Sequence, residues 1–326
     1  MTNSILLKVE NLCTYFRLRR PHWFSPVPIV YAVDGVSFEV PKGKTFGLVG
    51  ESGCGKSTTA LSVLRLEEPT SGSVKFDGVD LLSLDPEVMR RQRRRIQIIF
   101  QDPYSSLNPR SRAGDIIEAP LKVQNIGTSN EREERVAELL SHVGLRPEHR
   151  AAYPHQFSGG QRQRICIARA LASGPDLIVC DEPVSALDVA IQAQILNLLL
   201  KLQREFGLTY LFISHDMAVV QHMCDEIAVM YLGKIVEQTD RISLFNNPMH
   251  PYSKALLSAV PAIDVEANQL AGRLKVAGDP PSPMNPPSGC RFHTRCPYAE
   301  ARCRSEIPTL REIEPGHSVA CHLAGG

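Results

Sequence analysis

The sequence lacks a long hydrophobic run, an excess of charge of either sign and a recognisable leader. No stretch approaches the roughly 20 apolar residues of a membrane-spanning helix, and residues 1–4 do not begin a secretory signal peptide. The formal net charge of +1 gives no general indication of a nucleic-acid or acidic partner. We therefore expect a chain that stays in the cytosol, where disulfides are disfavoured.

The chain is long enough to bury a substantial core, and its cysteines are unevenly distributed. With 326 residues, 43% of them hydrophobic, it suits one large α/β domain and a smaller appendage. Five scattered cysteines are interpreted as small buried residues: Cys13, Cys54, Cys166, Cys180 and Cys224. Four others crowd near the C-terminus and need a separate explanation: Cys290, Cys296, Cys303 and Cys321.

A glycine-rich segment at residues 50–57 is the most informative feature of the sequence. It follows an apolar run and precedes a predicted helix, which is the context in which G-x-x-x-x-G-K-S predicts a phosphate-binding loop. Its glycines let backbone N–H groups face phosphate oxygens, and the helix N-terminus adds partial positive charge. Lys56 is expected to reach the β- and γ-phosphates, and the Ser57 hydroxyl to ligate Mg²⁺. The other predicted nucleotide contacts of the loop are Gly50, Ser52, Gly53, Cys54, Gly55 and Thr58.

Three later apolar strands end on polar residues. The strand over 177–180 leads into Asp181, expected to hold Mg²⁺ through water, and Glu182, expected to orient an attacking water. The strand over 96–100 ends on Gln101, at the start of a proline-broken loop where α/β sheets place ligand contacts. A third strand is followed by His215 at the edge that carries the other candidates.

Two other regions have a predicted secondary structure, one of strands and one of helices. Residues 5–46 are interpreted as short strands, and Tyr15 or Phe16 among them either stacks on an adenine ring or packs under a strand. Residues 115–175 are interpreted as helical, with Thr128 and Glu131 as a capping pair. Val136, Leu139, Leu140 and Val143 would form one buried face of that helix. Ser158–Gln161 interrupts the helices with a second helix start suited to an anion, although such turns are common.

In order, these motifs resemble those of an ABC-type ATPase from about residue 5 to 245. They are GESGCGKST at 50–58, Gln101 within QDPYSSLNP, FSGGQ at 157–161, LIVCDEP at 177–183, SALD at 185–188 and ISHD at 213–216. The departure is Phe157, where Leu is usual. The resemblance implies an α/β P-loop NTPase (RecA-like) core with an antiparallel β subdomain and an α-helical subdomain at about 102–172.

The resemblance also implies how the residues act. ABC ATPases pair two nucleotide-binding domains head to tail around two ATP molecules. Lys56, Ser57 and Asp181 would hold one ATP and its Mg²⁺, and Gln101 would contact and sense the Mg²⁺ and the transmembrane partner. Phe16 or Tyr15 would stack on the adenine, Phe16 being the better match to the family. Glu182 would be the general base, and His215 would bridge from the γ-phosphate to the region of that base. Asp188 would contact the facing subunit. The residues that would close on the nucleotide bound to the partner are Ser158, Gly159, Gly160 and Gln161.

The last part of the chain, 246–326, differs in composition from residues 1–245. After a proline-rich stretch its cysteines follow as C-x5-C-x6-C-x17-C. Four thiolates can bind zinc or a [4Fe–4S] cluster, and the close C-x2-C pairs usual in zinc sites are missing. The spacing leaves both groups open, with His293, His317 and His322 as alternative ligands in the zinc interpretation.

This tail resembles the C-terminal extension of dipeptide and oligopeptide permease ATPases, whose members carry a [4Fe–4S] cluster on these cysteines. The matching stretches are HPYSKALLSAVP, GCRFHTRCPYAEARC and VACHL. The resemblance implies an importer ATPase on the cytoplasmic face of the membrane, pairing with a second ATPase subunit, a paralogue or itself, and with two transmembrane permease subunits. A solute-binding protein outside the cytoplasm would be an indirect partner, and no nucleic acid is expected.

Other functions remain open at this point. Nickel importers and some sugar importers use close relatives of this ATPase. A soluble ABC protein acting on ribosomes or DNA usually carries two ATPase units or a coiled-coil insertion, whereas this sequence has one phosphate-binding loop and neither insertion. A further hypothesis makes the cysteine-rich tail a redox sensor that regulates the ATPase.

Overall fold

The computed structural model describes residues 4–20, 27–258 and 278–325. The strands are β1 (Ile5–Arg17), β2 (Ile29–Pro41), β3 (Thr45–Val49), β4 (Ser71–Phe76), β5 (Val79–Asp80), β6 (Ile96–Ile99), β7 (Leu177–Asp181), β8 (Thr209–Ser214), β9 (Glu226–Tyr231), β10 (Lys234–Asp240), β11 (Arg311–Glu314) and β12 (His317–Val319). The α-helices are α1 (Lys56–Val63), α2 (Pro86–Gln92), α3 (Ala113–Val123), α4 (Ser129–His142), α5 (Gly159–Leu171), α6 (Val189–Phe206), α7 (Met217–Met223), α8 (Arg241–Asn246), α9 (Pro251–Ser258) and α10 (Ala301–Ser305).

The chain forms two compact units, and the first consists mainly of Ser83–Phe212. In it β6 and β7 pair in parallel, from Ile96 opposite Leu177 to Ile99 opposite Cys180. Every residue of β7 is buried, as expected for a central strand that is covered on both faces. The helices α2 to α6 also belong to this unit.

Helix α4 forms as its sequence predicts. The Glu131 carboxylate accepts a hydrogen bond from the Thr128 N–H at 2.6 Å, and the Thr128 hydroxyl accepts one from the Glu131 N–H at 3.4 Å. This reciprocal pair satisfies two N–H groups that a helix start leaves without partners. The four apolar residues predicted as the inner face are buried: Val136, Leu139, Leu140 and Val143.

The second unit contains Ile5–Val40, Phe46–Leu82 and the chain from Ile213 onward. One sheet has the order β2-β1-β4-β5, in which β4 is antiparallel to both β1 and β5. The other strands of this unit follow the order β11-β12-β10-β9-β3, in which β3 and β9 are parallel and the remaining neighbours antiparallel. These sheets supply the antiparallel β part that the sequence predicts.

The prediction of short strands over residues 5–46 is wrong for β1 and β2, which each have 13 residues. The pairing of β1 with β4 shifts register between Glu10 and Cys13, and Asn11 has a positive φ of 48°. A bulge of this kind accommodates an extra residue without ending the strand. The polar Asn11 therefore kinks β1 rather than terminating it.

A buried carboxylate in β10 joins the two described parts of the C-terminal region. Glu237 is fully buried and accepts hydrogen bonds from the N–H groups of Met249 at 2.8 Å and His250 at 2.9 Å. Its Oε1 also lies 2.7 Å from Nε2 of His317 in β12, which pairs with β10. The carboxylate thus binds residues on both sides of 259–277, a segment of the predicted extension that lies outside the described residues.

Helix α9 begins at Pro251, directly after a buried histidine. Its first turn is preceded by the buried His250, whose Nδ1 accepts a hydrogen bond from the Tyr252 N–H at 3.0 Å. Burial lowers the pKa of His250 to about 3, with a smaller contribution from the Lys254 charge. The imidazole is therefore neutral at physiological pH and serves as a hydrogen-bond acceptor.

Candidate nucleotide site

The glycine-rich loop lies between the fully buried strand β3 and the start of α1. The Lys56 side chain turns back into the loop and is only 4% exposed. Its ammonium donates hydrogen bonds to the carbonyl oxygens of Gly50 at 2.8 Å and Glu51 at 2.9 Å. The loop therefore wraps around a cation at a helix N-terminus, which is an arrangement suited to a phosphate group.

Two glycines of this loop are required by the packing of the backbone. A Cβ at Gly55 would collide with the carbonyl oxygen of Ala32, and one at Gly50 with that of Met230. Gly55 also has a positive φ of 109°, a conformation that favours glycine. These contacts hold the loop against β2 and β9, so its shape is fixed by the surrounding sheet strands.

The other loop residues divide into an inner and an outer set. Cys54 is buried, and burial raises the pKa of its thiol, so it is a packing residue and not a nucleophile. Ser52, Gly53 and Ser57 are exposed, and Thr58 is partly exposed. The outer set is the part of the loop that is accessible to a ligand.

The side chains of Tyr15 and Phe16 lie on opposite faces of β1. The Tyr15 hydroxyl donates a 2.6 Å hydrogen bond to Asp34, a residue of the neighbouring strand β2. The preceding Thr14 faces α1, where its hydroxyl lies 2.8 Å from that of Ser62. Because side chains alternate along a strand, Phe16 lies on the same face as Thr14, the face of the phosphate-loop helix. Of the two residues predicted to stack on adenine, Phe16 is therefore the one on the face of α1.

We expect Phe16→Ala to weaken ATP binding by about 1–3 kcal/mol, roughly 5- to 150-fold, because it removes the stacking surface for the base. Tyr15→Phe, which keeps the ring and loses only the hydroxyl, is the matched control and should bind ATP normally. Fluorescence titration with a labelled ATP measures both. A larger loss in Tyr15→Ala than in Phe16→Ala would assign the stacking role to Tyr15 instead.

The first unit brings the predicted base and the predicted Mg²⁺ sensor together. Asp181 ends β7 with 7% of its surface exposed, and Glu182 follows it. Gln101 Nε2 donates a 2.8 Å hydrogen bond to the Glu182 carboxylate. Glu182 has a positive φ of 48°, which costs a non-glycine residue about 1–2 kcal/mol. A residue held in this conformation at the end of a buried strand is a candidate for function, because strained backbone concentrates at functional sites.

Ser158 begins α5 as a capping residue. Its hydroxyl accepts a hydrogen bond from the Gln161 N–H at 3.3 Å, and the Gln161 side chain accepts one from the Ser158 N–H at 3.0 Å. Gly160 is required locally, because a Cβ there would lie 2.5 Å from Ile191. At Gly159 a Cβ would make only ordinary contacts, so packing within this chain does not explain that glycine.

The last two predicted residues also cap or precede helices. The Asp188 side chain accepts a 3.0 Å hydrogen bond from the Ile191 N–H and so caps α6. His215 is exposed and lies between β8 and α7, in the second unit with the glycine-rich loop. Gln101, Ser158–Gln161, Asp181, Glu182 and Asp188 all lie in the first unit.

Comparison with known proteins identifies the family that combines these motifs. The family model described as ABC transporter matches residues 33–185, and the one described as oligopeptide/dipeptide transporter, C-terminal region, matches residues 236–303. The oligopeptide transport ATP-binding protein AppF of Bacillus subtilis is 52% identical over 98% of this chain and 97% of its own length. The chain belongs to the ABC transporter family.

A second relative and a solved structure support the assignment of this chain to the ABC transporter family. The putative oligopeptide transport ATP-binding protein YkfD of Bacillus subtilis is 54% identical over 98% of this chain and 95% of its own. The dimeric post-hydrolysis structure of the ATP-binding cassette MJ0796 bound to ADP and Pi is 31% identical, with a TM-score of 0.64, over 72% of this chain and 98% of that one. The predicted P-loop NTPase fold is thereby confirmed. Within residues 4–20, 27–258 and 278–325, every helix is too short or too polar to cross a bilayer.

The four C-terminal cysteines of this ABC family member lie near one another. The Cys290 N–H donates a 2.8 Å hydrogen bond to the Cys303 carbonyl. The pKa of the Cys290 thiol is raised to about 11, mainly by burial and to a smaller extent by the nearby Cys321, Cys303 and Cys296. In the part of the chain that the structure describes, however, no group of three or more His, Cys, Asp or Glu side chains is arranged to hold a metal ion. The four cysteines are therefore close together, but their thiols are not arranged as the ligands of a metal ion.

The histidines considered for a zinc site are engaged elsewhere. His322 is hydrogen-bonded at both ring nitrogens, by the Arg302 side chain and by a backbone carbonyl. Nε2 of His317 lies 2.7 Å from Glu237, and Nδ1 of His293 lies 2.9 Å from a backbone carbonyl. Zinc binding through His322 would require one of these hydrogen bonds to break, whereas Nδ1 of His317 is buried without a hydrogen-bond partner among the described residues.

Sequence reasoning missed the contacts between the C-terminal extension of this ABC family member and its phosphate-binding loop. Arg295 forms a two-pronged ion pair with Glu51, at 2.7 and 3.0 Å. The Tyr252 hydroxyl accepts a 2.8 Å hydrogen bond from the Glu51 N–H. The partners are 244 and 201 residues apart in sequence, and no local pattern predicts such a pairing.

Proposed function

We propose that this chain is the ATP-hydrolysing subunit of an ABC importer for dipeptides or oligopeptides. The observation that carries the proposal is that its similarity to oligopeptide transport ATP-binding proteins extends over 98% of the chain, including the C-terminal extension. The match of residues 236–303 to the oligopeptide/dipeptide transporter C-terminal family supports the peptide substrate over nickel. In this proposal residues 1–245 form the ATPase domain and 246–326 the extension.

The residues described above would divide the work of ATP hydrolysis. Lys56 would neutralise phosphate charge, and the oxygen donors of Ser57, Gln101 and Asp181 suit Mg²⁺, which prefers oxygen ligands. Bound Mg²⁺ would supply stabilisation for the charge on the transferred γ-phosphoryl group and the leaving ADP. Glu182 would accept the proton of the attacking water, with its carboxylate oriented by Gln101 at 2.8 Å.

The second half of each site would come from another ATPase subunit. Ser158, Gly159 and Gly160 would close on the γ-phosphate bound to that subunit, and contact with a ligand of the partner would account for a glycine at 159, which packing within this chain does not require. Asp188 would face the same subunit, and His215 would contact the γ-phosphate. We further propose that the ATPase pair docks on two transmembrane permease subunits at the cytoplasmic face of the membrane, with the solute-binding protein acting indirectly.

Purification from membranes tests this function. The tagged chain should bring down two hydrophobic permease subunits, and the reconstituted complex should show peptide-stimulated ATPase activity. ATPase activity stimulated by RNA or DNA, without any permease, would instead indicate a soluble non-transport ABC protein. Stimulation by nickel and not by peptides would keep the importer and change its solute.

We also propose that Cys290, Cys296, Cys303 and Cys321 hold a [4Fe–4S] cluster, with zinc as the alternative. Support comes from the proximity of the four cysteines, with Cys290 hydrogen-bonded to the Cys303 carbonyl, and from the preference of such clusters for four thiolates. Because no ligand geometry is present among the described residues, the thiols would have to reorient when they take up the group.

Metal analysis of anaerobically purified protein separates the alternatives. We expect about four irons and four sulfides per chain, with little zinc, and a loss of most iron in Cys290→Ser. Cys13→Ser is the matched control, because Cys13 is a free cysteine outside this group. Stoichiometric zinc without iron would favour the zinc site. A protein that contains neither iron nor zinc would contradict the proposal.

A further inference from the structure

The C-terminal extension contacts the phosphate-binding loop through one charged pair. Both Nη atoms of Arg295 bind the Glu51 carboxylate, at 2.7 and 3.0 Å. The Arg295 side chain is only 7% exposed, and that of Glu51 is 30% exposed. A two-pronged pair with one largely buried member has a fixed geometry, unlike most surface ion pairs.

Glu51 is the residue of the loop whose charge is least suited to a phosphate site. It directly follows Gly50, and its own carbonyl accepts a 2.9 Å hydrogen bond from the Lys56 ammonium. Its N–H is bound to the Tyr252 hydroxyl at 2.8 Å. The backbone of Glu51 therefore binds the loop's cation, and an unneutralised negative charge on the side chain of the same residue would repel a triphosphate.

We infer that Arg295 is a positioning residue that acts through Glu51, neutralising its carboxylate so that the loop accepts polyphosphate. The C-terminal extension is then a functional part of the nucleotide site, through the segment that also carries Cys290 and Cys296. The inference rests on the proposed function, in which this loop binds ATP. It assigns to the extension a role in nucleotide affinity that is independent of any metal.

A purely structural role for Arg295 is the alternative. Its guanidinium also lies 5.8 Å from the centroid of the Tyr231 ring, and Nη1 lies 3.4 Å from the Tyr231 hydroxyl. An anchoring residue of this kind would stabilise the extension without regard to the charge of the ligand. The two roles differ in how the affinity depends on the number of phosphates and on the presence of Glu51.

The test measures ATP, ADP and adenosine binding to the full chain in wild type, Arg295→Gln, Glu51→Gln and the double variant. We expect Arg295→Gln to weaken ATP binding about tenfold, ADP binding less, and adenosine binding less than about twofold, since the effect follows ligand charge. The double variant should return to within about threefold of wild type, because the unpaired carboxylate is gone. Glu51→Gln alone should bind ATP at least as tightly as wild type.

Arg302→Gln is the matched control, because Arg302 lies in the same extension and its hydrogen bond goes to His322. It should leave the affinity for all three ligands unchanged. Equal weakening of adenosine and ATP in Arg295→Gln, or a double variant as weak as Arg295→Gln, would overturn the inference in favour of a structural anchor. If Arg295→Gln does not fold, a loss of ATP affinity in Glu51→Gln would overturn it. Failure of the wild-type chain to bind ATP would instead remove the proposed function itself.

Discussion

Glu182→Gln should bind ATP with nearly wild-type affinity and hydrolyse it about 10²–10⁴ times more slowly. The amide keeps the size of the side chain and can still hydrogen-bond to Gln101, so the end of β7 should retain its conformation. What it loses is the ability to accept a proton from the attacking water. Because binding is intact and turnover is blocked, the variant should also accumulate as an ATP-bound dimer.

Phosphate release and size-exclusion chromatography with ATP measure these two effects. Glu138→Gln is a suitable control, because its carboxylate lies in an exposed i,i+3 pair with Arg135 on α4. It should hydrolyse ATP at the wild-type rate. Normal turnover by Glu182→Gln would show that another group accepts the proton, and the role proposed for Glu182 would be wrong.

Glu237→Ala should lower the free energy of unfolding by about 3–5 kcal/mol, because it removes one partner from a buried polar cluster. The N–H groups of Met249 and His250 and the imidazole of His317 would all lose their acceptor in a buried site. Burial keeps the pKa of His250 low, so its imidazole cannot compensate by taking up charge.

Denaturant unfolding of the whole chain measures this loss, with the midpoint and slope compared for each variant. Glu312→Ala is the matched control, because the Glu312 carboxylate accepts a hydrogen bond from the Gly316 N–H in an exposed turn. Its removal should cost no more than about 1 kcal/mol. A loss below that value in Glu237→Ala would mean that the extension docks mainly through other contacts.

The contact between Gln101 and Glu182 could be predicted from the sequence. Each residue follows a short apolar strand, and parallel strands bring their carboxyl ends to one edge of a sheet. The register of β6 and β7 pairs Ile99 with Cys180, so continuing it by two residues brings position 101 beside position 182. Strand ends are encoded locally, which is why this part of the candidate site was accessible to sequence reasoning.

The remaining features depend on information that no local pattern contains. The positive φ of Glu182 and the bulge at Asn11 are set by the strands around them, so they follow from pairing and not from residue type. The pair of Arg295 with Glu51 joins positions 244 residues apart. The cysteine spacing predicted a thiol cluster, but spacing alone does not distinguish zinc from iron and sulfide.

The buried Glu237 connects residues on both sides of 259–277 by hydrogen bonds that do not depend on the covalent link. Its carboxylate binds Met249 and His250 on one side of that segment and His317 on the other, and β12 pairs directly with β10. In a chain cut within this segment, these hydrogen bonds and the pairing of β10 with β12 are contacts that would oppose separation of the two pieces.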